Sequence, residues 1–152
     1  MPELKSEFIC AMFATLQAPP EVIPVPHGIR VNFYITGGTL DGPRLKGKLR
    51  PVGADFFTLR HDGVGELDVR TTIETDDGAL IYTHYVGIGD MGVDGHARFL
   101  AGELPPKLVL RTGPRFSTAH PKYQWLNRLY CVGVGVADMQ TFEVRYDIHA
   151  LT

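Results

Sequence analysis

The chain has 152 residues, a length that is typical of one domain and sufficient for a hydrophobic core without disulfide or metal staples. Hydrophobic residues make up 44% of the chain and charged residues 21%, a composition that excludes intrinsic disorder. The formal net charge of −2 argues against nucleic acid as the main partner, because phosphate binding needs an excess of basic residues on one face.

The cysteines and the N-terminus bear on the cellular compartment. Cys10 and Cys131 both lie within apolar runs, which favours buried free thiols over a disulfide framework. The first residues lack the basic and then apolar pattern of a signal peptide, and no apolar run approaches the ~20 residues that span a bilayer. We therefore expect no membrane association and a cytoplasmic location.

The first predicted strand, residues 8–16, is apolar on both faces. A strand buried on both faces needs cover on each side, and in a barrel the outer cover is a loop or another subunit. We therefore predict a homo-oligomer. Residues 19–26 contain four prolines and predict a loop, because proline cannot donate a hydrogen bond to a strand ladder.

Alternating apolar and polar residues predict eight further strands. They cover residues 29–35, 44–50, 56–60, 66–75, 79–88, 107–112, 129–136 and 141–148, and a helical turn is predicted at 97–100 within the long connection 90–106. Turn residues separate the strands: Gly37 and Gly38 mark one turn, and Asp76-Asp77-Gly78 marks a hairpin.

Tight turns pair neighbouring strands, and closure removes exposed sheet edges. The sequence thus predicts an all-β fold, a single small antiparallel β-barrel of about eight to nine strands, with residues 1–152 as one domain. Gly133 and Gly135 within one strand indicate a bend or a close approach to the backbone.

The sequence contains none of the common cofactor or metal-binding motifs. The chain has no glycine-rich dinucleotide fingerprint, no phosphate loop and no nucleophile elbow. Its six histidines are scattered, at spacings unlike those of a zinc site. We therefore expect no cofactor and no metal.

Asp55 and Arg70 are the charged candidates for a site. Asp55 stands between a glycine turn and an apolar strand, where desolvation would raise its pKa towards acid–base use; alternatively, it closes the turn through backbone hydrogen bonds. Arg70 could point into the barrel and bind a carboxylate with both arms of its guanidinium group. If the apolar face of its strand fills the barrel instead, Arg70 lies outside.

The segment 116–127 supplies the uncharged candidates. Trp125, the only tryptophan, could form an apolar ligand wall, and Asn127 could donate to a substrate oxygen as an oxyanion stabiliser. The alternative is a loop plug, in which Trp125 caps one barrel end and Asn127 ties down backbone.

Several stretches, in order along nearly the whole chain, resemble the uncharacterised microbial family known as "domain of unknown function 3237". They are Thr36-Gly37-Gly38, Asp41-Gly42-Pro43-Arg44-Leu45-Lys46-Gly47, Gly53-Ala54-Asp55-Phe56, Leu67-Asp68-Val69-Arg70, Asp76-Asp77-Gly78-Ala79-Leu80-Ile81-Tyr82, Pro114-Arg115-Phe116 and Tyr123-Gln124-Trp125-Leu126-Asn127. The resemblance implies a barrel similar to the allene oxide cyclase and dirigent barrels. It implies no particular reaction.

Two functional hypotheses remain open. In the first, the barrel binds a small, partly apolar carboxylate or carbonyl compound, with Asp55 and Asn127 catalytic, Arg70 and Trp125 binding the ligand, and a cofactor-free isomerisation, cyclisation or hydration as the reaction. In the second, the barrel is filled by side chains and the protein is structural or mediates interactions. Small barrels allow both, so a polar-lined hollow is the discriminating feature.

Overall fold

A closed barrel of eight antiparallel strands forms the centre of this protein, in a computed structural model that describes all residues 1–152. The strands of the whole sheet are β1 Ser6–Leu16, β2 Glu21–Val25, β3 Gly28–Asp41, β4 Lys46–Leu49, β5 Ala54–Arg60, β6 Val64–Thr75, β7 Leu80–Asp90, β8 Lys107–Thr112, β9 Arg115–Ser117, β10 Cys131–Asp138 and β11 Glu143–Leu151. One short α-helix, α1 Gly95–Leu100, and one 3₁₀ helix, Pro121–Arg128, complete the chain. The predicted all-β antiparallel barrel is confirmed.

The barrel closes through the order β3-β1-β11-β10-β8-β7-β6-β5, with β5 pairing back onto β3. The remaining strands extend this wall: β2 pairs with β3, β4 lies between β3 and β6, and β9 pairs with the start of β7. Because neighbouring strands alternate in direction, the β6–β7 hairpin and the β10–β11 turn lie at opposite ends of the barrel.

Strand alternation decides what fills the interior. On β6, Leu67, Val69 and Ile73 are buried inside the barrel, whereas Glu66 and Arg70 are exposed. The same period of two runs along β11, where Val144, Tyr146 and Ile148 point inward as the sequence predicts. A cluster of 31 buried residues fills most of the barrel, so little space is left inside.

Glycines on the inner wall make room for aromatic rings. A Cβ atom on Gly135 would lie 2.3 Å from Cδ1 of Tyr146, and one on Gly65 would lie 2.1 Å from Cζ of Phe57. Both distances are too short for any real side chain, so the bare backbone is what allows each ring to lie flat against the wall. The close approach predicted at Gly135 is therefore found, and the group that approaches is the ring of Tyr146.

Two segments, one predicted as a turn and one as a loop, contain strand residues instead. Gly37 and Gly38 lie within β3 rather than in a turn, and a Cβ on Gly38 would lie 2.0 Å from the carbonyl oxygen of Phe13 on β1. Pro24 lies within β2, which pairs only with β3. An edge strand tolerates proline because its outer N–H positions face away from the ladder.

The outer face of β1 is partly covered by the chain itself. The guanidinium of Arg145 lies 4.6 Å from the centre of the Phe13 ring, a cation–π contact on the outside of the barrel. The apolar outer face of β1 therefore does not require a second subunit, and oligomerisation stays a prediction. Neither helix has the length and hydropathy that spanning a membrane requires.

Candidate functional site

A small cavity lies inside the barrel. It encloses about 50 Å³ and is lined by 20 residues, of which 16 are hydrophobic. Its non-hydrophobic lining consists of Asp55, Thr71, Asp138 and Glu143, and no lysine, arginine or histidine faces it. The interior is therefore not the polar-lined hollow expected of a ligand-binding barrel, although an apolar cavity with a few polar groups is a usual form of small-molecule site.

Asp55 reaches this cavity because of its place on β5. It shares the inward-facing positions with Phe57 and Leu59. The β5–β6 ladder pairs Asp55 with Val69 and is next paired at Thr58, so it is interrupted between these two residues of β5. In that gap the backbone N–H of Asp68 donates to Oδ1 of Asp55 at 3.0 Å, so the carboxylate replaces a missing ladder partner.

Burial raises the pKa of Asp55 from its ordinary value of 3.8 to about 7. The charge of Asp68 raises this pKa further, whereas the hydrogen bond from the Asp68 backbone N–H lowers it. A carboxyl group with a pKa near neutrality is present in both protonation states at pH 7, which is the condition for general acid–base catalysis. The raised pKa predicted for Asp55 is thus found together with the alternative, a backbone hydrogen bond, and the catalytic role of Asp55 stays a prediction.

Two buried tyrosines line the same cavity. The rings of Tyr85 on β7 and Tyr146 on β11 meet edge to face, with their centroids 5.7 Å apart. Burial raises the pKa of both phenols, and the nearby charge of Asp55 adds to the effect on each. Both hydroxyls therefore stay protonated at neutral pH, so each phenol keeps an O–H group that can donate a hydrogen bond.

Sequence reasoning missed these phenols as site residues. Alternation along β11 predicts that Tyr146 points inward, but the same pattern describes any core residue. The signal that could have singled it out is the pair Gly133 and Gly135 on the neighbouring strand, since Gly135 lies opposite Tyr146 in the ladder.

Arg70 lies outside the barrel, contrary to the inward orientation that a ligand-binding role requires. Val69 and Thr71, its neighbours on β6, point into the barrel, so alternation forces Arg70 outward. There its guanidinium donates to the hydroxyl of Tyr82 on β7 at 2.7 Å. A cross-strand pair on the solvent face is the result.

Trp125 and Asn127 lie at the barrel end opposite the β10–β11 turn. Both belong to the 3₁₀ helix, whose Lys122 donates to Asp77 of the β6–β7 hairpin at 2.7 Å. Trp125 is half-buried and is covered by the guanidinium of Arg44, which lies 3.7 Å from the centre of the indole. Neither residue lines the cavity.

Asn127 holds the backbone of Thr118 through hydrogen bonds, as the loop-plug alternative describes. Its side-chain amide donates to the carbonyl of Thr118 at 2.7 Å, and its oxygen accepts from the N–H of Thr118 at 2.8 Å. Of the four predicted site residues, only Asp55 therefore reaches the cavity, so the four do not form one site there. The structure brings Asp55 together with Tyr85 and Tyr146 instead.

Metal ligation finds no support in side-chain clustering. No group of three or more histidine, cysteine, aspartate or glutamate side chains is placed so that it could hold a metal ion. Cys10 and Cys131 are both buried free thiols, and burial raises the pKa of each. Raised thiol pKa values leave both cysteines in the unreactive thiol form.

Comparison with known proteins agrees with the fold. A UPF0311 protein from Rhodopseudomonas palustris (strain TIE-1) is 34% identical over 150 residues, covering 97% of each chain. A β-barrel-like protein from Acinetobacter baumannii has a crystal structure with a TM-score of 0.83 and 30% identity, covering 100% of this chain and 98% of that one. An enzyme from Penicillium herquei shares the fold alone, with a TM-score of 0.66 and 22% identity over 100% of this chain and 98% of that one.

The family model described as "Protein of unknown function (DUF3237)" matches residues 4–151, which is nearly the whole chain. The resemblance carried by the sequence motifs is thereby confirmed, and this chain belongs to the DUF3237 family.

Proposed function

We propose that this protein binds a small, neutral, mostly apolar carbonyl compound in its barrel and catalyses a cofactor-free proton transfer on it. The observation that carries the proposal is Asp55, a carboxyl group with a pKa of about 7 inside an apolar cavity beside two phenols. Isomerisation, cyclisation and hydration of carbonyl compounds all need such a proton transfer.

The charge of the cavity supports a neutral ligand over a carboxylate. Asp55, Asp138 and Glu143 all line it, and no cationic side chain does. Arg70, the cation predicted to hold a carboxylate, lies outside. A carboxylate in this cavity would be desolvated without a partner and repelled by its neighbours.

The reaction balances without an oxidant or reductant. The ionised carboxylate of Asp55 takes a proton from the carbon next to the carbonyl. The electron pair of that C–H bond forms a C=C bond, and the π electron pair of the carbonyl moves to its oxygen. The hydroxyls of Tyr85 and Tyr146 donate hydrogen bonds to the resulting enolate oxygen. Asp55, now a carboxylic acid, returns its proton to the same carbon or to a carbon conjugated with it, and the second outcome is an isomerisation.

The filled-barrel alternative also has an observation in its favour. The cavity is small, and the core cluster occupies most of the interior. A purely structural barrel needs only the hydrogen bond that Asp55 accepts from the N–H of Asp68, and an asparagine could accept that bond without a charge whose burial destabilises the fold. Asp55 therefore favours the catalytic proposal.

The experiment uses a simple probe reaction. Acetophenone and the protein are mixed in D₂O at neutral pD, and NMR follows exchange of the methyl hydrogens of the ketone for deuterium. We expect exchange above the buffer rate and its loss in Asp55→Asn, an isosteric change that cannot ionise. Asp147→Asn is the matched control, because Asp147 is exposed on the outer face of β11 and does not line the cavity.

Benzoate provides the charge control for binding, since it has nearly the shape of acetophenone. We expect amide chemical shifts around the cavity to move with acetophenone and to stay unchanged with benzoate. Stronger binding of benzoate, or exchange that survives in Asp55→Asn, would contradict the proposal.

A further inference from the structure

The turn between β10 and β11 closes the cavity at one barrel end. Met139 and Phe142 of this turn both line the cavity and pack against the hydrophobic core. The other barrel end is occupied by the 3₁₀ helix, whose Tyr123 and Leu126 are buried. Access from solvent to Asp55 therefore leads past the β10–β11 turn.

Phe142 holds an unusual backbone conformation in this turn. Its φ angle is +57°, in the left-handed region, and it is the only non-glycine residue of the chain with positive φ. A bulky aromatic residue there is an outlier, because glycine or asparagine normally takes such a position. Backbone strain of this kind persists only where the surroundings fix it, and it clusters at functional sites.

Backbone hydrogen bonds fix this conformation. The N–H of Phe142 donates to the carbonyl of Asp138 at 2.9 Å, and the carbonyl of Phe142 accepts from the N–H of Leu16 on β1 at 2.9 Å. The carboxylate of Asp138 accepts from the N–H groups of Gln140 and Thr141 at 2.9 and 3.1 Å. The turn is thus tied at both its ends, and the aromatic ring is held against the cavity.

The cavity volume makes the ring decisive for access. A cavity of about 150 Å³ holds a benzene molecule, whereas this one encloses about 50 Å³. A carbonyl compound with one ring therefore enters only if a lining side chain moves aside. Because hydrogen bonds fix the backbone of the turn, a ligand entering at this end displaces a side chain of the turn, Met139 or Phe142, which lies at the barrel end rather than in the barrel wall.

We propose that Phe142 determines which ligands reach Asp55, by closing the cavity with its ring and thereby setting the largest ligand admitted. This inference rests on the proposed function, since it concerns the ligand of the same cavity. This role explains why phenylalanine occupies a position with positive φ, because glycine there would relieve the backbone strain but leave the cavity open. The substrate class is correspondingly a compact carbonyl compound with at most one ring.

The test compares two probes of different size, acetophenone with one ring and 2-acetylnaphthalene with two. Their affinities are measured by NMR titration for the wild type, Phe142→Gly and Phe142→Ala. We expect the wild type to prefer acetophenone, and both variants to shift the ratio of affinities towards 2-acetylnaphthalene by about tenfold, the usual scale of size discrimination in an apolar pocket. Phe142→Gly keeps the test workable if Phe142→Ala folds poorly, because glycine suits a φ of +57°.

Phe99→Ala is the matched control. Phe99 is also a half-buried phenylalanine that packs against the core, but it lies in α1 and does not line the cavity. We expect its removal to leave the ratio of affinities unchanged. If Phe99→Ala shifts the ratio of affinities as much as the Phe142 variants do, the shift reflects a general loss of stability, and the inference is overturned.

The outcomes separate the two proposals. If acetophenone binds and exchanges but the ratio is the same in the Phe142 variants, the size limit is wrong while the proposed function stands. If neither probe binds to the wild type or to either variant, the proposed function fails, and the inference fails with it.

Discussion

Replacing Asp55 by asparagine should stabilise this protein above neutral pH. Asparagine has nearly the same shape, and its side-chain oxygen can still accept the hydrogen bond that the Asp68 backbone N–H donates at 3.0 Å. What the substitution removes is the ionisation of a group enclosed by apolar side chains. The expected gain comes from a charge that no longer has to be buried.

The sign and size of the effect follow from the two pKa values of Asp55. The folded-state pKa of about 7 lies above the ordinary value of 3.8, so between these values the folded protein keeps a proton that the unfolded chain releases. The unfolding free energy of the wild type therefore falls as pH rises from about 4 to about 7, and the loss persists above pH 7. Because each pKa unit corresponds to about 1.4 kcal/mol, the whole loss is at most about 4 kcal/mol.

Chemical denaturation at a series of pH values measures this effect. The difference in unfolding free energy between Asp55→Asn and the wild type should grow from pH 4 to pH 7 and then become constant, and other titrating groups cancel in the difference. Equal pH dependence in the two proteins would refute the reasoning, because it would mean that Asp55 ionises as easily in the folded as in the unfolded chain.

Asp77→Asn provides a control of opposite sign. Lys122 and the hydroxyls of Thr75 and Tyr123 all donate hydrogen bonds to the carboxylate of Asp77, and these bonds hold its pKa well below its usual range. Its contribution to stability is therefore present above the pKa of the unfolded chain and is lost as pH falls. Asp77→Asn should destabilise the protein at neutral pH, and the difference from the wild type should shrink towards acidic pH.

Three further predictions concern packing, the 3₁₀ helix and assembly. Gly135→Ala should lower stability by about 1–3 kcal/mol in thermal unfolding, because the new Cβ would collide with the Tyr146 ring 2.3 Å away; an unchanged melting temperature would show that the ring moves freely. Asn127→Ala should destabilise the fold by about 1–3 kcal/mol through its two lost bonds to Thr118, while deuterium exchange of acetophenone persists; loss of exchange would return Asn127 to the site. Val109 is 55% exposed and lies with Val134 and Val136 in an outer groove on β8, β10 and β11 that also carries charges of both signs, which suits a second copy of the chain; light scattering should show a dimer that Val109→Lys dissociates, and a monomeric wild type would contradict it.

The strand pattern was predictable from the sequence because one face of each barrel strand is buried. On β6 the alternation of apolar and polar residues fixes the inward face, and the Asp76-Asp77-Gly78 signal fixes the hairpin that follows. The prediction erred where backbone proximity overrides local preference. The local sequence at Gly38 predicts a turn. Gly38 instead lies within β3, at a point where β1 passes so close that no side chain would fit.

The contents of the cavity were less predictable, because they depend on contacts between distant strands. Asp55 stood out because a carboxylate follows a glycine turn and precedes an apolar strand. Tyr85 and Tyr146 carry no local signal of function, since an inward tyrosine is an ordinary core residue. They become candidates only when β7 and β11 bring them to the cavity that Asp55 also lines.

Arg70 shows how the same alternation that predicts the fold constrains the ligand. Once Val69 and Thr71 fill the barrel, their neighbour Arg70 cannot reach its interior, and the hydrogen bond to Tyr82 occupies it outside. Removing this cation from the site also removes the main reason to expect a carboxylate ligand. The remaining groups, one carboxyl near its pKa and two protonated phenols, are suited to a neutral oxygen atom that becomes negative only during reaction.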